Sequence, residues 1–134
     1  MSTPAGTVKQ VIVIRKDLKM RRGKEIAQGA HAAMAFLTSR LLGERYDRLV
    51  LTGAFNAAEE AWIKGNFRKI VVRVNSEDEL MACATRAASA GLEVRLITDA
   101  GLTEFSGEPT HTALAIGPDY DELIDPVTRD LELY

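Results

Sequence analysis

Residues 8–37 read VKQVIVIRKDLKMRRGKEIAQGAHAAMAFL, and the way this run divides decides the fold. Val11–Ile14 are consecutive β-branched residues inside Val8–Arg15, the pattern of a strand buried on both faces. Lys16–Arg22 is a polar, basic loop. From Gly23 the alanines and larger apolar residues predict a helix running to about Leu42, before Gly43. Lys24, Gln28 and His31 fall at i, i+4 and i+7, so they share one face of that helix. A strand followed by a helix opens a crossover unit, whose next strand runs parallel to the first.

The rest of the chain keeps this alternation. A less regular helix is expected over Asn56–Ile63, ending near Gly65, and Lys69–Val74 (KIVVRV) is the second strand. Ser76 and Glu79 have the spacing of a capping box. They open a helix whose inner face is Leu80, Ala84 and Ala87 and which Gly91 stops. Cys83 lies beside that face and reads most simply as a small buried hydrophobe. Glu93–Thr98 and Thr112–Gly117 (TALAIG) are the third and fourth strands. A short acidic turn or helix at Tyr120–Ile124 and a tail ending Leu131–Tyr134 close the chain. The first three strands are expected to be parallel. No helix separates the third from the fourth, so an antiparallel direction is open to the fourth. The prediction is one α/β domain over residues 1–134, a three-layer α/β/α arrangement with a four-stranded mixed sheet. Residues 1–7 are expected to be a flexible N-terminus.

Composition narrows the function. The chain has 134 residues, 46% hydrophobic and 27% charged, which suits one globular domain with its own core. The single cysteine excludes an internal disulfide framework. Two histidines, His31 and His111, without arranged acids make a weak case for a metal. No apolar run reaches membrane-spanning length and Met1–Gly6 lacks the features of a signal peptide, so the expected setting is the cytosol. Neither a Gly-x-Ser-x-Gly elbow nor a Walker loop nor a dinucleotide fingerprint is present. The net charge of −2 and pI near 5.7 give no overall attraction for nucleic acid. Arg15, Lys16, Lys19, Arg21, Arg22 and Lys24 nonetheless crowd together against Asp17 alone. That cluster reads either as a phosphate-binding patch or as a solvated loop.

Sheet topology ranks these candidates, because ligands of open α/β sheets sit beyond the carboxyl ends of the parallel strands. The basic loop, the N-terminus of the Gly23 helix and Asp99 belong to that edge. An antiparallel fourth strand would bring Thr110, His111 and Thr112 alongside. Lys24 sits in the first helical turn, where the dipole disfavours a cation. It is either countered by an acid such as Asp99 or reserved for an anionic ligand. Asp99, followed by Ala-Gly, suggests a tight turn in which the carboxylate caps loop amides or binds a cation across the rim. Water chemistry using Lys24, His31 and Asp99 is the economical reading.

Four segments together resemble a known set. KM-x-x-GK-x-x-AQ-x-x-HA (Lys19–Ala32), KIVVRVNSEDEL (Lys69–Leu80), DAGLTE from Asp99 and T-x-TALAIGP (Thr110–Pro118) resemble, in the same order, the type 2 peptidyl-tRNA hydrolases. The resemblance implies a small mixed-sheet α/β/α fold, often dimeric. It also implies hydrolysis of the ester joining a peptide to the 3′ end of tRNA, without metal or organic cofactor. The family's functional positions fall on Lys24, Gln28, His31, Asp99 and Thr103, with Thr110 and Thr112 nearby. On that reading Lys24 stabilises developing negative charge, Asp99 holds Lys24, and His31 serves or supports the general base. Gln28 and Thr103 orient water or substrate, while Lys16, Lys19, Arg21, Arg22 and also Arg68 meet tRNA phosphates. A non-catalytic domain binding RNA or protein, and a hydrolase of another acyl ester, are the competing readings. Pro109 stands where a glycine is more usual, and the segment between the first helix and Lys69 matches nothing distinctive.

Overall fold

A computed structural model describes residues 6–42, 49–101 and 107–134. The elements are β1 (Val8–Arg15), a 3-10 turn (Lys16–Leu18), α1 (Arg22–Thr38), β2 (Leu41–Leu42), β3 (Val50–Leu51) and α2 (Ala57–Lys64). There follow β4 (Lys69–Val74), α3 (Glu77–Ser89), β5 (Val94–Asp99), β6 (Thr110–Tyr120), α4 (Asp121–Thr128) and β7 (Glu132–Leu133). The main sheet has the order β5-β6-β1-β4-β7. β1 and β4 are parallel, and β6 runs antiparallel to both β1 and β5. β1, β4 and β5 therefore point one way, and β6 lies between two of them.

The sheet has five strands rather than four. The tail adds the fifth, β7, antiparallel to β4 through Val72–Leu133 and Arg73–Glu132. A two-residue strand carries too little pattern to be read from sequence. α1 stops at Thr38, short of Leu42, because Ser39 and Arg40 turn back on it. Ser39 N–H bonds the Ala35 carbonyl, the Ser39 hydroxyl bonds that of Phe36, and Arg40 N–H bonds that of Leu37. Leu41–Leu42 then pairs with Val50–Leu51 as a separate small ribbon. α4 reaches Thr128 despite Pro126, since Ile124, Val127 and Thr128 are all buried. Their burial outweighs the backbone bond that proline removes.

Helix ends follow local chemistry. Ser76 Oγ accepts from Glu79 N–H at 3.0 Å, while the Glu79 carboxylate takes Asn75 N–H, one residue outside the reciprocal box. The reciprocal box is complete at α2, between Asn56 and Glu59. Two cores flank the sheet. α3 and α4 cover one face through Leu80, Cys83, Ala87, Ile124 and Val127, against Val11, Val13, Val72, Val74, Leu114 and Ile116. Burial pushes the Cys83 thiol up, in keeping with an inert core position. α1 packs on β5, β6 and β1 across the other face, where Ile12, Ile14, Met20, Ala32, Ala113 and Ala115 meet.

Candidate active site

The rim at the carboxyl ends of β1 and β5 gathers a charged pair. Lys24, in the first turn of α1, donates to Asp99 Oδ1 at 2.8 Å. Both side chains are largely withdrawn from solvent, at 17% and 13% exposure. The second carboxylate oxygen of Asp99 accepts Gly101 N–H at 2.8 Å. Both roles open to Asp99 are thus filled at once, one by each oxygen. Gly101 has φ +83°, and a Cβ there would stand 2.3 Å from the Glu108 carbonyl oxygen. Only glycine allows this turn to close. The Lys24 hydrogen bond, and after it that of Gly101, hold the Asp99 carboxyl below the usual carboxylate range, with a smaller contribution from His31.

Gln28 lies one turn deeper and is 3% exposed. Its side-chain oxygen accepts the Thr112 hydroxyl at 2.5 Å. Strand alternation from Leu114 and Ile116 would send Thr112 to the α3 side of the sheet. A bulge prevents that. Thr98 faces His111 and Ile97 faces Ala113, so Thr112 is the extra residue of β6 and turns toward α1. Bulges beside functional sites often re-aim a side chain in this way. Thr112 is fully buried and supports Gln28 from beneath.

The remaining candidates divide. His31 lies on the exposed side of α1, near enough to Asp99 to act on its charge. Thr110 pairs with Asp99 across β5–β6, and its hydroxyl donates to the Glu108 carbonyl. Thr103 lies outside the described residues. Lys16, Lys19, Arg21 and Arg22 are exposed, with Lys19 in the left-handed region at φ +53°. Arg15 is a fixture of the rim, bonded twice to Asp17 and once to the His111 carbonyl. Arg68 belongs elsewhere. It precedes β4, at the opposite edge of the sheet, and pairs with Asp121 at 2.6 Å. Direction reversal across β4 puts some 5 residues of strand between Arg68 and the rim, roughly 17 Å at 3.3 Å per residue.

Three contacts escaped sequence reasoning. Gln10, wholly buried in β1, donates to the Ala33 carbonyl of α1 at 2.9 Å. Thr98 Oγ1 and His111 Nδ1 lie 2.9 Å apart on the α3 side. Arg40 joins Glu59 and Glu93 at 2.6 and 2.7 Å, an ion-pair hub at the end of α1. The polar residue inside an otherwise β-branched run was the available signal for Gln10; the other two depend on non-local pairing.

Fold and rim together define a class: a small mixed-sheet α/β protein presenting a carboxylate-locked lysine at a helix N-terminus. Residues 8–134 match the family model described as peptidyl-tRNA hydrolase PTH2. A peptidyl-tRNA hydrolase of Methanocaldococcus jannaschii is 43% identical over 128 residues, covering 94% of this chain and 99% of that protein. One of Methanopyrus kandleri is 42% identical over 127 residues, covering 93% and 97%. One of Saccharolobus islandicus is 40% identical over 127 residues, covering 94% and 98%. The chain belongs to the peptidyl-tRNA hydrolase PTH2 family.

Proposed function

We propose that this chain is a peptidyl-tRNA hydrolase, cleaving the ester between a peptide and the 3′ end of tRNA. The observation that carries the site assignment is the Lys24–Asp99 pair at the head of α1. Ester hydrolysis by water places negative charge on the former carbonyl oxygen. Lys24 supplies a fixed positive charge, the helix dipole adds to it, and Asp99 holds the ammonium in place. Arg21, at the N-cap, provides no side-chain cap, so the helix end keeps amide donors suited to an anion. His31 is the candidate to accept the proton of the attacking water. Gln28, locked by Thr112, orients water or substrate, a role the resemblance also gives Thr103. Lys16, Lys19, Arg21 and Arg22 would meet phosphates of the acceptor stem, and Thr110 the tRNA end. A homodimer in the cytoplasm completes the reading. Among the described residues no helix is long and apolar enough to cross a membrane.

The test is release of tRNA from purified peptidyl-tRNA. Lys24→Ala is expected to lower kcat about 100-fold or more, the scale of a lost oxyanion donor. Asp99→Asn should follow it more mildly. Binding of tRNA without release by the parent would favour the non-catalytic reading, and an unchanged rate in a folded Lys24→Ala protein would remove the site assignment.

A further inference from the structure

α1 carries the rim residues, yet its own means of support are few. Gly23 and Gly29 each cost about 1 kcal/mol against alanine in a helix interior. Its N-cap makes no side-chain hydrogen bond, and its last turn holds no basic residue to meet the dipole. Arg22 and Lys24 place cations at its positive end. Only Gln28, Ala32 and Phe36 are buried on it. Its flank away from Asp99 is one wall of an open apolar groove of about 970 Å³, which runs over the part of β4 that α1 does not cover. Of the twelve large hydrophobic residues that stand exposed among the described residues, seven line this groove.

The shape of this face says what covers it. Ile26, Ala30 and Met34 form a ridge at i, i+4 and i+8, with Ile26 66% and Met34 55% exposed. Beside it lies a trough with Val71 in the sheet and Ile63 and Phe67 across. A ridge next to a matching trough is what a two-fold axis requires, since each copy then offers both halves of the contact. The edges carry both signs, Arg22 and Lys69 against Glu25, so the face is complementary to itself rather than to a polyanion. A methyl group at Gly29 would stand at an ordinary 3.9 Å from Ile12 and Ile14, so the sheet does not demand glycine there. The missing side chain deepens the groove instead. Phe67 adds a second sign. It adopts φ +57°, rare for a bulky residue, and leaves its ring half-exposed beneath the Lys69 ammonium at 3.4 Å. Such strain gathers where a surface is used.

We propose that a second copy of this chain seats in the groove and that this contact holds α1 in its working position, so that Lys24 and Gln28 are fully ordered only in the pair. The proposal rests on the hydrolase reading for its functional half alone. The coupling runs through one rigid element with two flanks, the groove on one and Lys24 and Gln28 on the other.

The experiment compares the parent with Met34→Glu, Ile63→Glu and, as a control outside the groove, Leu123→Glu. Sedimentation gives the mass, hydrogen exchange the protection of α1, and peptidyl-tRNA hydrolysis the rate. Met34, Ile63 and Leu123 are all exposed in the single chain, so glutamate leaves its fold intact. The parent and Leu123→Glu are expected to be dimers at micromolar chain with α1 protected. Met34→Glu and Ile63→Glu should sediment as monomers, exchange α1 amides roughly tenfold faster and lose roughly tenfold in kcat. A monomeric parent, dimeric Met34→Glu and Ile63→Glu, or monomeric variants with parental α1 exchange would each overturn the proposal. A dimeric parent with the expected exchange but no hydrolysis would instead overturn the hydrolase reading and leave this contact standing.

Discussion

The two faces of the sheet are built on different rules. On the α3–α4 face the buried contacts are Leu80, Ile124, Leu114, Ile116 and the valines of β1 and β4. On the α1 face they are alanines and two isoleucines, and three buried polar residues, Gln10, Gln28 and Thr112, lie in the same region. The first face is held by large apolar side chains, whose burial is insensitive to a shift of a few tenths of an ångström. The second is held by directional bonds, Gln10 to Ala33, Thr112 to Gln28 and Lys24 to Asp99. Stability is concentrated on one face and geometry on the other.

That contrast can be broken at each face. The largest effect is expected from Leu80→Ala, which empties a fully buried position. It should cost about 2–5 kcal/mol by chemical denaturation while the folded fraction keeps its parental kcat. A lost kcat per folded molecule would show that the α3 face also sets the site. Gly101→Ala comes next. The left-handed backbone and the 2.3 Å approach to Glu108 leave no room for a methyl, so the loop must open and the Asp99 carboxylate lose its amide donor. Hydrolysis should fall by about tenfold or more, with a smaller change in melting temperature. Thr112→Val keeps the shape and removes one donor from Gln28, a buried unmade bond worth about 1–3 kcal/mol. A variant as stable and active as the parent would mean that Gln28 finds another donor.

Acid sharpens the same comparison with the smallest effect. The folded pKa of Asp99 lies below its unfolded value, so its contribution to stability is complete above about pH 4. It disappears as the pH falls through the folded value. The stability difference between the parent and Asp99→Asn should therefore hold near neutrality and shrink below about pH 4. A difference that grew on acidification would place the carboxylate in an environment that raises its pKa.

Much of the molecule was legible in advance, and for a local reason. The β-branched run of β1, the Ser76 cap, the Gly91 stop and the alternation of strands and helices follow from propensity and spacing within a few residues. They placed Lys24 and Asp99 on one rim, and the four matching segments indicated a family that the whole-chain comparison then bore out. Arg68 was misplaced because charge alone does not say which edge of a sheet a residue occupies.

The amino-acid sequence by itself determined the elements, their directions and the polar stripe on α1, since each depends on neighbours in the chain. Only the tertiary structure decided which strands lie side by side, that β6 enters between β5 and β1, and that the tail becomes an edge strand. It alone decided that a bulge turns Thr112 under Gln28, and that α1 leaves β4 half-covered beside an apolar groove. These features arise from pairings between residues far apart in the chain, where register and packing choose among arrangements that local preference leaves equal.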